Sequence, residues 1–450
     1  MTRYTGVIEG FYGRPYSFSE CHSLISLMGK WGLNTYLYGP KNDTQHRNRW
    51  REPYTPEELA LFSALVQHAR DAGVDFVVGL SPLEFHYSSS QDLDTLLFKQ
   101  QQFLEIGVTS FSLLLDDMPE RFRYEDDAEK FGTLAHAQSW LCEQLRERTP
   151  GVFSFVPTEY HGKGDSPYLR ELGERLPENI EIFWTGRDVC SPSITTEHTR
   201  TVSKTLKRKV VYWDNYPVND LEMRFDPHLL PYRNREAGVL EESGGILLNL
   251  ALQPEASKIP LITFARFVQD GEQYQPDAAW QEALIEVTGN AEDARALELL
   301  ADLARRDPLD PKGTLDNHLY PLMDAFWEEL GGAPEVAGPE LQNRPARKPA
   351  SGTLREAARE LELAVFRLEH LKNRKLLADL HPWTQKLGGQ VRILKLALAV
   401  IDNPQDARLR EVIFEDLPEV RANFHWVAGD LIDQFARRCV WYAHQKQRQE

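Results

Sequence analysis

The feature that most restricts the fold is a regular alternation of short apolar runs with amphipathic stretches over residues 3–268. Eight of these runs have the length and composition of buried strands. They are Thr5–Glu9, Thr35–Tyr38, Phe76–Leu80, Phe111–Leu115, Phe153–Val156, Ile180–Trp184, Val210–Trp213 and Gly245–Asn249. Alternating strands and helices are typical of parallel strands joined by right-handed crossovers. Eight such units in about 265 residues predict an α/β fold, a closed (β/α)8 TIM-type barrel.

Two of the helical stretches between these strands begin with a capping box. Ser17 is followed by Glu20, and Thr55 is followed by Pro56 and Glu58, so each start has a hydroxyl cap and an acid three residues later. A doubly wound open sheet is the alternative arrangement of the same elements. No glycine-rich dinucleotide fingerprint follows the first strand, and the barrel is therefore the predicted fold.

The second part of the chain has a different pattern, because strand-like runs end near residue 270 and long helical patterns follow. The predicted helices are Ala278–Val287, Asp293–Arg305, Leu319–Leu330, Leu354–Ala378, Thr384–Ile401 and Leu417–His444. The Gly- and Pro-rich segment Gly331–Gly352 predicts a flexible loop. We therefore assign residues 1–270 to the barrel and residues 271–450 to an α-helical bundle domain.

Composition excludes several classes of function. The formal net charge of −17 argues against general binding to nucleic acid or to an anionic membrane. Four widely spaced cysteines form no CxxC pair, so neither a disulfide framework nor a zinc ribbon is expected. The first residues show no hydrophobic signal core, and no apolar run approaches the ~20 residues that span a bilayer. We expect a cytoplasmic protein without nucleic-acid or membrane partners.

Two adjacent carboxylic acids, Asp116 and Asp117, directly follow the fourth apolar run. In a (β/α)8 barrel, the loops after the carboxyl ends of the strands carry the chemistry. Neighbouring acids repel, so ionisation of one raises the proton affinity of the other. This predicts one carboxylate and one carboxylic acid in the same site. The alternative interpretation is a helix start, with Asp as N-cap and Pro119 at the first helical position.

The other predicted strand ends supply carboxylates, amides, hydroxyls and indoles, with few thiols or imidazoles. Such groups suit hydroxyl-rich sugars, whose apolar faces stack on tryptophan, and the scattered histidines do not suggest a metal site. An ordinary glycosidase needs two facing carboxyl groups roughly 5 to 9.5 Å apart, which consecutive residues cannot easily provide. Adjacent acids instead favour substrate assistance, in which the 2-acetamido oxygen of the sugar is the nucleophile.

Five motifs at these strand ends carry a resemblance to a known family. They are Gly6–Pro15 (GVIEGFYGRP), Tyr36–Asp43 (YLYGPKND), Leu115–Asp117 (LDD), Trp184–Gly186 (WTG) and Trp213–Tyr216 (WDNY). In this order they resemble glycoside hydrolase family 84, the protein O-GlcNAcases and related N-acetyl-β-glucosaminidases. The resemblance covers residues 3 to about 268, and the helical region is similar to that of the family only in a general way.

The resemblance implies roles for individual residues. Asp116 would orient the acetamido group and stabilise the oxazolinium charge. Asp117 would protonate the leaving oxygen and then act as the base on water. Tyr160 would contact the acetamido oxygen or the anomeric region, and Trp213 would wall the acetamido pocket. The sugar hydroxyls would be held by the Gly10 backbone and by Lys41, Asn215, Asp220 and Asn249.

The function that follows from the resemblance is a retaining exo-β-N-acetylglucosaminidase without metal or cofactor. Its substrates would be O-linked β-GlcNAc on serine or threonine of proteins, or small β-GlcNAc glycosides. If the helical domain resembles the stalk of the family, we expect it to build a homodimer and an aglycone-binding cleft. The alternatives are a non-catalytic GlcNAc-binding barrel and a hexosaminidase acting on chitin or hyaluronan fragments.

The chain also departs from the family pattern near the site. Leu250 and Ala251 follow Asn249 where the family usually continues with Pro-Asn, and Asn42 stands where it often has Asp. We expect these differences to affect the pocket floor or the aglycone preference, and not the acid pair.

Overall fold

The protein contains a closed eight-stranded barrel. The computed structural model describes residues 4–306, 317–331 and 350–449. The strands are β1 (Tyr4–Glu9), β2 (Thr35–Tyr38), β3 (Asp75–Leu80), β4 (Ser110–Leu114), β5 (Phe153–Val156), β6 (Ile180–Trp184), β7 (Val210–Asp214) and β8 (Gly245–Asn249). Neighbouring strands pair in parallel in the order β1 to β8, and β8 closes onto β1 with Tyr4 opposite Gly245. The predicted (β/α)8 barrel is confirmed, and the open-sheet alternative is wrong.

Helices connect the strands on the outside of the barrel. They are α1 (Phe18–Trp31), α2 (Pro56–Asp71), α3 (Ser90–Glu105), α4 (Glu125–Phe131), α5 (Leu134–Arg146), α6 (Pro167–Arg175), α7 (Thr196–Leu206), α8 (Val239–Glu242) and α9 (Lys258–Asp270). Both capping boxes form, with Ser17 and Glu20 exchanging hydrogen bonds at α1 and Thr55 and Glu58 doing so at α2. Local sequence signals therefore determine where these two helices begin.

The interior of the barrel is filled by side chains from every strand. These are Tyr4, Ile8, Leu37, Val77, Leu114, Val156, Phe183, Val211, Trp213 and Leu247, each 4% exposed or less. Bulky apolar residues of this kind pack the barrel as a solid core, so a ligand can enter only above this layer, at the carboxyl ends of the strands. Trp213 belongs both to this core and to the rim.

The chain divides into two compact units. The first extends to Glu222 and includes Pro231–Trp280, whereas the second consists of Met223–Leu230 and the chain from Gln281 onward. The division drawn at residue 270 from the sequence stays a prediction. By contacts between residues, the first unit continues to Trp280.

The second unit is helical. Its helices are α10 (Pro276–Thr288), which begins in the first unit, and α11 (Ala291–Leu303), α12 (Leu319–Glu329), α13 (Ala350–Glu369), α14 (Arg374–Asp402), α15 (Ala407–Ala422) and α16 (Leu431–Gln449). The α-helical character is confirmed. Two predicted long helices are wrong, because each is interrupted.

The interruptions have local causes. The predicted helix Leu354–Ala378 ends at Glu369, since Asn373 caps a new helix by accepting a hydrogen bond from the backbone N–H of Leu376. The predicted helix Leu417–His444 is broken where Ala428 and Gly429 adopt positive φ angles. Most of the predicted loop Gly331–Gly352 lies outside the described residues, and its last residues belong to α13. No helix in the described part of the chain combines the length and apolarity needed to cross a membrane.

Candidate active site

A cavity lies at the carboxyl ends of the strands. It has a volume of about 260 Å³. All nine residues singled out from the sequence line it: Gly10, Lys41, Asp116, Asp117, Tyr160, Trp213, Asn215, Asp220 and Asn249. Its wall also contains residues that were given no role: Tyr12, Val156, Thr185, Val189, Cys190, Val218 and Leu221. Seven separate strand ends meet at one cavity because a closed barrel brings these ends into a ring.

The side chains of the two adjacent acids, just beyond β4, lie in different environments. Asp117 has a φ of 58°, in the left-handed region that aspartate tolerates better than most residues. Asp116 is buried, whereas Asp117 is exposed to solvent in the cavity. The helix-start interpretation is wrong, since α4 begins only at Glu125, with Tyr124 in the N-cap position.

Asp116 is held by a buried lysine. The ammonium group of Lys41 donates a hydrogen bond to Oδ2 of Asp116, and the two side chains are only 2% and 7% exposed. The ammonium also lies 5.4 Å from the ring centroid of Trp213. The second oxygen, Oδ1 of Asp116, is buried and has no hydrogen-bond partner among the described residues. A buried carboxylate oxygen without a donor is costly, which indicates a place for a ligand N–H or O–H.

Asp117 receives two phenolic hydrogen bonds. Tyr160 donates to its Oδ1 at 2.7 Å, and Tyr12 donates to its Oδ2 at 2.8 Å. Partial burial raises the pKa of Asp117, but the hydrogen bond from Tyr160 and the charge of Lys41 outweigh that effect. The pKa therefore lies below its ordinary value. The repulsion between the two acids that the sequence predicted does not dominate here, because Lys41 and the two phenols stabilise the charged form.

Tyr12 contacts a catalytic candidate directly, although the sequence analysis gave it no role. Its backbone N–H donates to Oδ2 of Asp220 at 2.7 Å, and the next N–H, from Gly13, donates to Oδ1 of Asn42 at 3.1 Å. These bonds fix the β1–α1 loop so that the Tyr12 phenol reaches Asp117. Its place in the Gly6–Pro15 motif was the signal in the sequence that could have identified it. Asn42 binds this loop and is not among the residues that line the cavity.

A network of amides forms the side of the cavity nearest Trp213. The indole N–H of Trp213 and the Nδ2 of Asn249 both donate to Oδ1 of Asn215, each at 2.9 Å. Asn215 in turn donates from Nδ2 to the backbone carbonyl of Val189 at 2.8 Å. Every polar atom in this chain of bonds thus has a fixed orientation. The wall is preorganised before a ligand binds.

A glycine is required at position 10 because the ring of Trp213 lies very close to its Cα atom. Its N–H donates to Oδ1 of Asn249 at 3.2 Å, and a Cβ at this position would overlap the ring of Trp213. The unusual residues after β8 do not displace Asn249 from the cavity. Leu250 is fully buried, and the carbonyl of Ala251 accepts a hydrogen bond from the Tyr16 phenol.

A buried acid, Glu9, lies directly before Gly10. Its carboxylate accepts hydrogen bonds from the Tyr16 N–H at 2.8 Å, from the Tyr36 phenol at 2.6 Å and from the Cys21 thiol at 3.7 Å. Within the described residues none of these partners is a cation. Burial raises the pKa of Glu9 from 4.5 to about 7, although the three hydrogen bonds oppose that effect.

The raised pKa of Glu9 predicts a pH-dependent stability. The folded protein binds the proton more tightly than the unfolded chain, so stability from this group is present below pH 4.5 and is lost as the pH rises through 7. Glu9→Gln is neutral and isosteric. We expect it to raise the free energy of unfolding by roughly 1–3 kcal/mol at pH 8 and to change it little at pH 4.5. Urea unfolding at both pH values measures this. Equal effects at both would contradict the prediction, and Glu129→Gln, on the exposed face of α4, is the control.

One group of side chains in the described part of the chain has the spacing of metal ligands. It consists of His86, Asp126 and Asp127, none of which lines the cavity. The Nε2 of His86 lies 2.8 Å from Asp126 and 3.7 Å from Asp127, and Asp127 accepts N–H bonds from Tyr87 and Ser88. These contacts describe a local hydrogen-bonded cluster that anchors a loop. The cavity itself offers carboxylates, amides and phenols suited to a sugar.

Sequence comparison connects the chain to enzymes that act on N-acetylglucosamine. The family model described as beta-N-acetylglucosaminidase (NAGidase) matches residues 5–302. The chain is 38% identical over 269 residues to the Protein O-GlcNAcase of Rattus norvegicus and to that of Mus musculus. The aligned part is 58% of this chain and 29% of each relative, so the chain spans less than a third of those curated proteins.

Two solved structures are similar to the chain over nearly its whole length. A mutant of the O-GlcNAc hydrolase of Thermobaculum terrenum superimposes with a TM-score of 0.87 and 32% identity, covering 97% of this chain and 94% of that one. The protein CpGH84B superimposes with a TM-score of 0.80 over 97% of this chain and 77% of its own. At 24% identity, the second likeness concerns the fold alone.

Proposed function

Since the chain belongs to the β-N-acetylglucosaminidase family, glycoside hydrolase family 84, we propose that it is a retaining exo-β-N-acetylglucosaminidase. Its substrate is O-linked β-GlcNAc on serine or threonine of proteins. The names of the mammalian relatives and of the Thermobaculum enzyme support this choice of substrate. The reaction proceeds by assistance from the acetamido group of the substrate.

The observation that carries the proposal is the free, buried Oδ1 of Asp116. With Oδ2 bound to Lys41, Oδ1 accepts the acetamido N–H, which turns the acetamido oxygen toward the anomeric carbon. That oxygen attacks the anomeric carbon as the bond to the aglycone breaks, giving an oxazoline that stays protonated on nitrogen, with this proton hydrogen-bonded to Asp116. The charge of Asp116 stabilises the positive charge that develops on the acetamido group.

Asp117 acts as the general acid and then as the general base. It gives a proton to the departing serine or threonine oxygen and afterwards takes one from the water that opens the oxazoline ring. Because two displacements occur at the anomeric carbon, the product retains the β configuration. The lowered pKa of Asp117 in the free protein means that its proton must arrive as the substrate enters. Displacement of water by the sugar strengthens the burial effect, which raises that pKa.

The remaining wall recognises a single sugar ring. The hydroxyl groups of the sugar are held by Lys41, Asp220, Asn249 and the Gly10 backbone. Trp213 covers the methyl group of the acetamido substituent. Tyr160 and Tyr12 reach the anomeric side through their contact with Asp117. The volume of about 260 Å³ is below the ~300–1,000 Å³ typical of sites for drug-sized ligands, in keeping with removal of one terminal sugar.

We further propose a homodimer formed through the helical unit. Leu363 and Phe366 on α13 are 55% and 57% exposed and lie three residues apart, which places them on the same side of the helix. Light scattering at micromolar concentration tests this, and a monomeric mass would overturn it. The cytoplasmic location stays a prediction from the sequence.

The decisive experiment is hydrolysis of an aryl β-N-acetylglucosaminide followed by NMR, together with release of GlcNAc from an O-GlcNAc serine peptide. We expect turnover of both, with the β anomer of GlcNAc appearing first. Binding of GlcNAc without turnover would indicate the non-catalytic sugar-binding barrel. Turnover of chitobiose but not of the glycopeptide would indicate the chitin-type hexosaminidase.

A further inference from the structure

A buried ion pair lies directly behind the wall that contains Trp213 and Asn215. Side chains alternate in direction along a strand, so Asp214, between these two residues, points away from the cavity. Asp214 and Arg235 pair there with both side chains 1% exposed. Buried ion pairs seldom stabilise a fold more than apolar residues of similar size would. This pair therefore calls for an explanation other than stability.

The guanidinium group of Arg235 binds Asp214 through two parallel bonds. Nε donates to Oδ2 at 2.8 Å and Nη2 donates to Oδ1 at 2.6 Å. The Tyr232 phenol adds a third donor to Oδ2 at 2.7 Å. A planar fork of this kind restricts both the position and the orientation of the carboxylate. The end of β7, with Trp213 and Asn215 on either side of Asp214, is thus held from behind.

The same guanidinium group also holds the segment that follows β6. Nη2 donates to the carbonyl of Ser191 at 3.0 Å, and Nη1 donates to that of Pro192 at 3.1 Å. Backbone bonds at Ile194 connect this segment to Asn234 and Glu236, on either side of Arg235. Val189 and Cys190, earlier in the segment, line the cavity.

The two elements held by Arg235 meet at Asn215. Its Nδ2 donates to the carbonyl of Val189, and its Oδ1 accepts from the indole of Trp213. This side of the cavity therefore keeps its width only if the end of β7 and the segment after β6 stay fixed relative to each other. Arg235 contacts both.

We propose that Arg235 is a positioning residue for the acetamido pocket, setting the distance between the Trp213 wall and the Val189–Cys190 wall and thereby the size of the N-acyl group accepted. The proposal rests on the assignment of Trp213 to that pocket in the proposed function. Arg235 does not touch the sugar. Its effect is transmitted through Asp214 and through the carbonyls of Ser191 and Pro192.

The test compares aryl β-glucosaminides that carry N-acetyl and N-butanoyl groups. Arg235→Lys keeps a positive charge opposite Asp214 but cannot make the fork while also reaching the carbonyls of Ser191 and Pro192. We expect kcat/KM for the N-acetyl substrate to fall roughly 10- to 100-fold, because small misplacements of bound groups have effects of this size. We expect the ratio of kcat/KM for N-butanoyl over N-acetyl to rise about 10-fold as the pocket loosens.

Two further variants keep the result interpretable. Asp214→Asn retains the shape of the carboxylate but loses its charge, and it should shift the acyl ratio in the same direction even if the lysine variant does not fold. Arg200→Met, on α7, removes an exposed ion pair with Glu242 of α8 and should leave the ratio unchanged. A folded Arg235→Lys or Asp214→Asn protein with the wild-type acyl ratio would overturn the proposal.

Failure of the proposed function would be visible separately. If the wild-type protein hydrolyses neither glycoside, the same ratio is measured by calorimetry, as the affinity for N-acetylglucosamine against that for N-butanoylglucosamine. A ratio shifted toward the larger acyl group in Arg235→Lys supports the positioning role without catalysis. An unshifted ratio overturns it.

Discussion

Replacement of Asp117 by alanine is expected to lower kcat/KM for an O-GlcNAc serine peptide by about 10²–10⁴-fold, the usual contribution of a positioned acid–base group. The loss should depend on the leaving group. A dinitrophenyl glycoside departs without protonation, so the step that forms the oxazoline should be slowed much less. Kinetics over a series of aryl glycosides with different phenol pKa values measures this. The dependence on leaving-group pKa should be steeper in the variant than in the wild type.

The structure supplies the controls for this prediction. Asp94→Asn removes an exposed acid on α3 and should have wild-type kinetics. Asp117→Asn keeps the shape of the side chain and one acceptor for the phenols of Tyr12 and Tyr160, so it separates the loss of the proton from the loss of those contacts. An equal loss for every leaving group in both Asp117 variants would rule out the role of general acid.

Replacement of Asp116 by asparagine is expected to lower kcat by roughly 10²–10³-fold, a loss typical of removing a charge that stabilises the transition state. Unlike the Asp117 variants, this variant should lose activity to a similar extent for good and poor leaving groups. Asp116 acts on the acetamido group, whose attack is needed whatever the aglycone is. The same aryl series measures the effect, and a loss confined to poor leaving groups would contradict the assignment.

The Asp116 variant also has a cost in stability. Lys41 is almost fully buried, and its ammonium group would lose its carboxylate partner. Removal of one member of a buried pair typically costs about 3–5 kcal/mol. Kinetics should therefore be measured below the unfolding temperature of the variant. The double variant Lys41→Met with Asp116→Asn should recover part of the stability without recovering activity, which separates folding from catalysis.

The strands of the barrel were predicted closely from the sequence. The bounds of β2, β5, β6 and β8 agree with the predicted runs, because each strand is a short apolar run. The long helices of the second unit were predicted less well. An apolar periodicity continues across the breaks between α13 and α14 and between α15 and α16, where Asn373 caps a new helix and Ala428 has a positive φ. The opposite error occurred at Pro382. The helix was predicted to begin after this proline, at Thr384, whereas α14 begins at Arg374 and continues through Pro382.

The members of the site were predictable from their place after the strands, but not their contacts. Gly10 and Asn249 are far apart in sequence and are joined by a hydrogen bond only because β1 and β8 close the barrel. The role of Tyr12 as a donor to Asp117 depends on the course of the β1–α1 loop, which Asp220, in the loop after β7, anchors through a hydrogen bond. Such long-range bonds leave no periodic signal in a single chain.

By itself, the sequence determined the alternation that forms the barrel and the identity of the chemical groups at its rim, since both depend on local patterns of polarity. Only the tertiary structure decided the proton affinities of those groups and the directions in which their side chains point. The sequence predicted that repulsion between Asp116 and Asp117 would set their proton affinities. The folded chain places Lys41 against Asp116 and two phenols against Asp117, and this lowers the pKa of Asp117. Electrostatic interactions depend on distance and burial, which are fixed only when the strand ends have met.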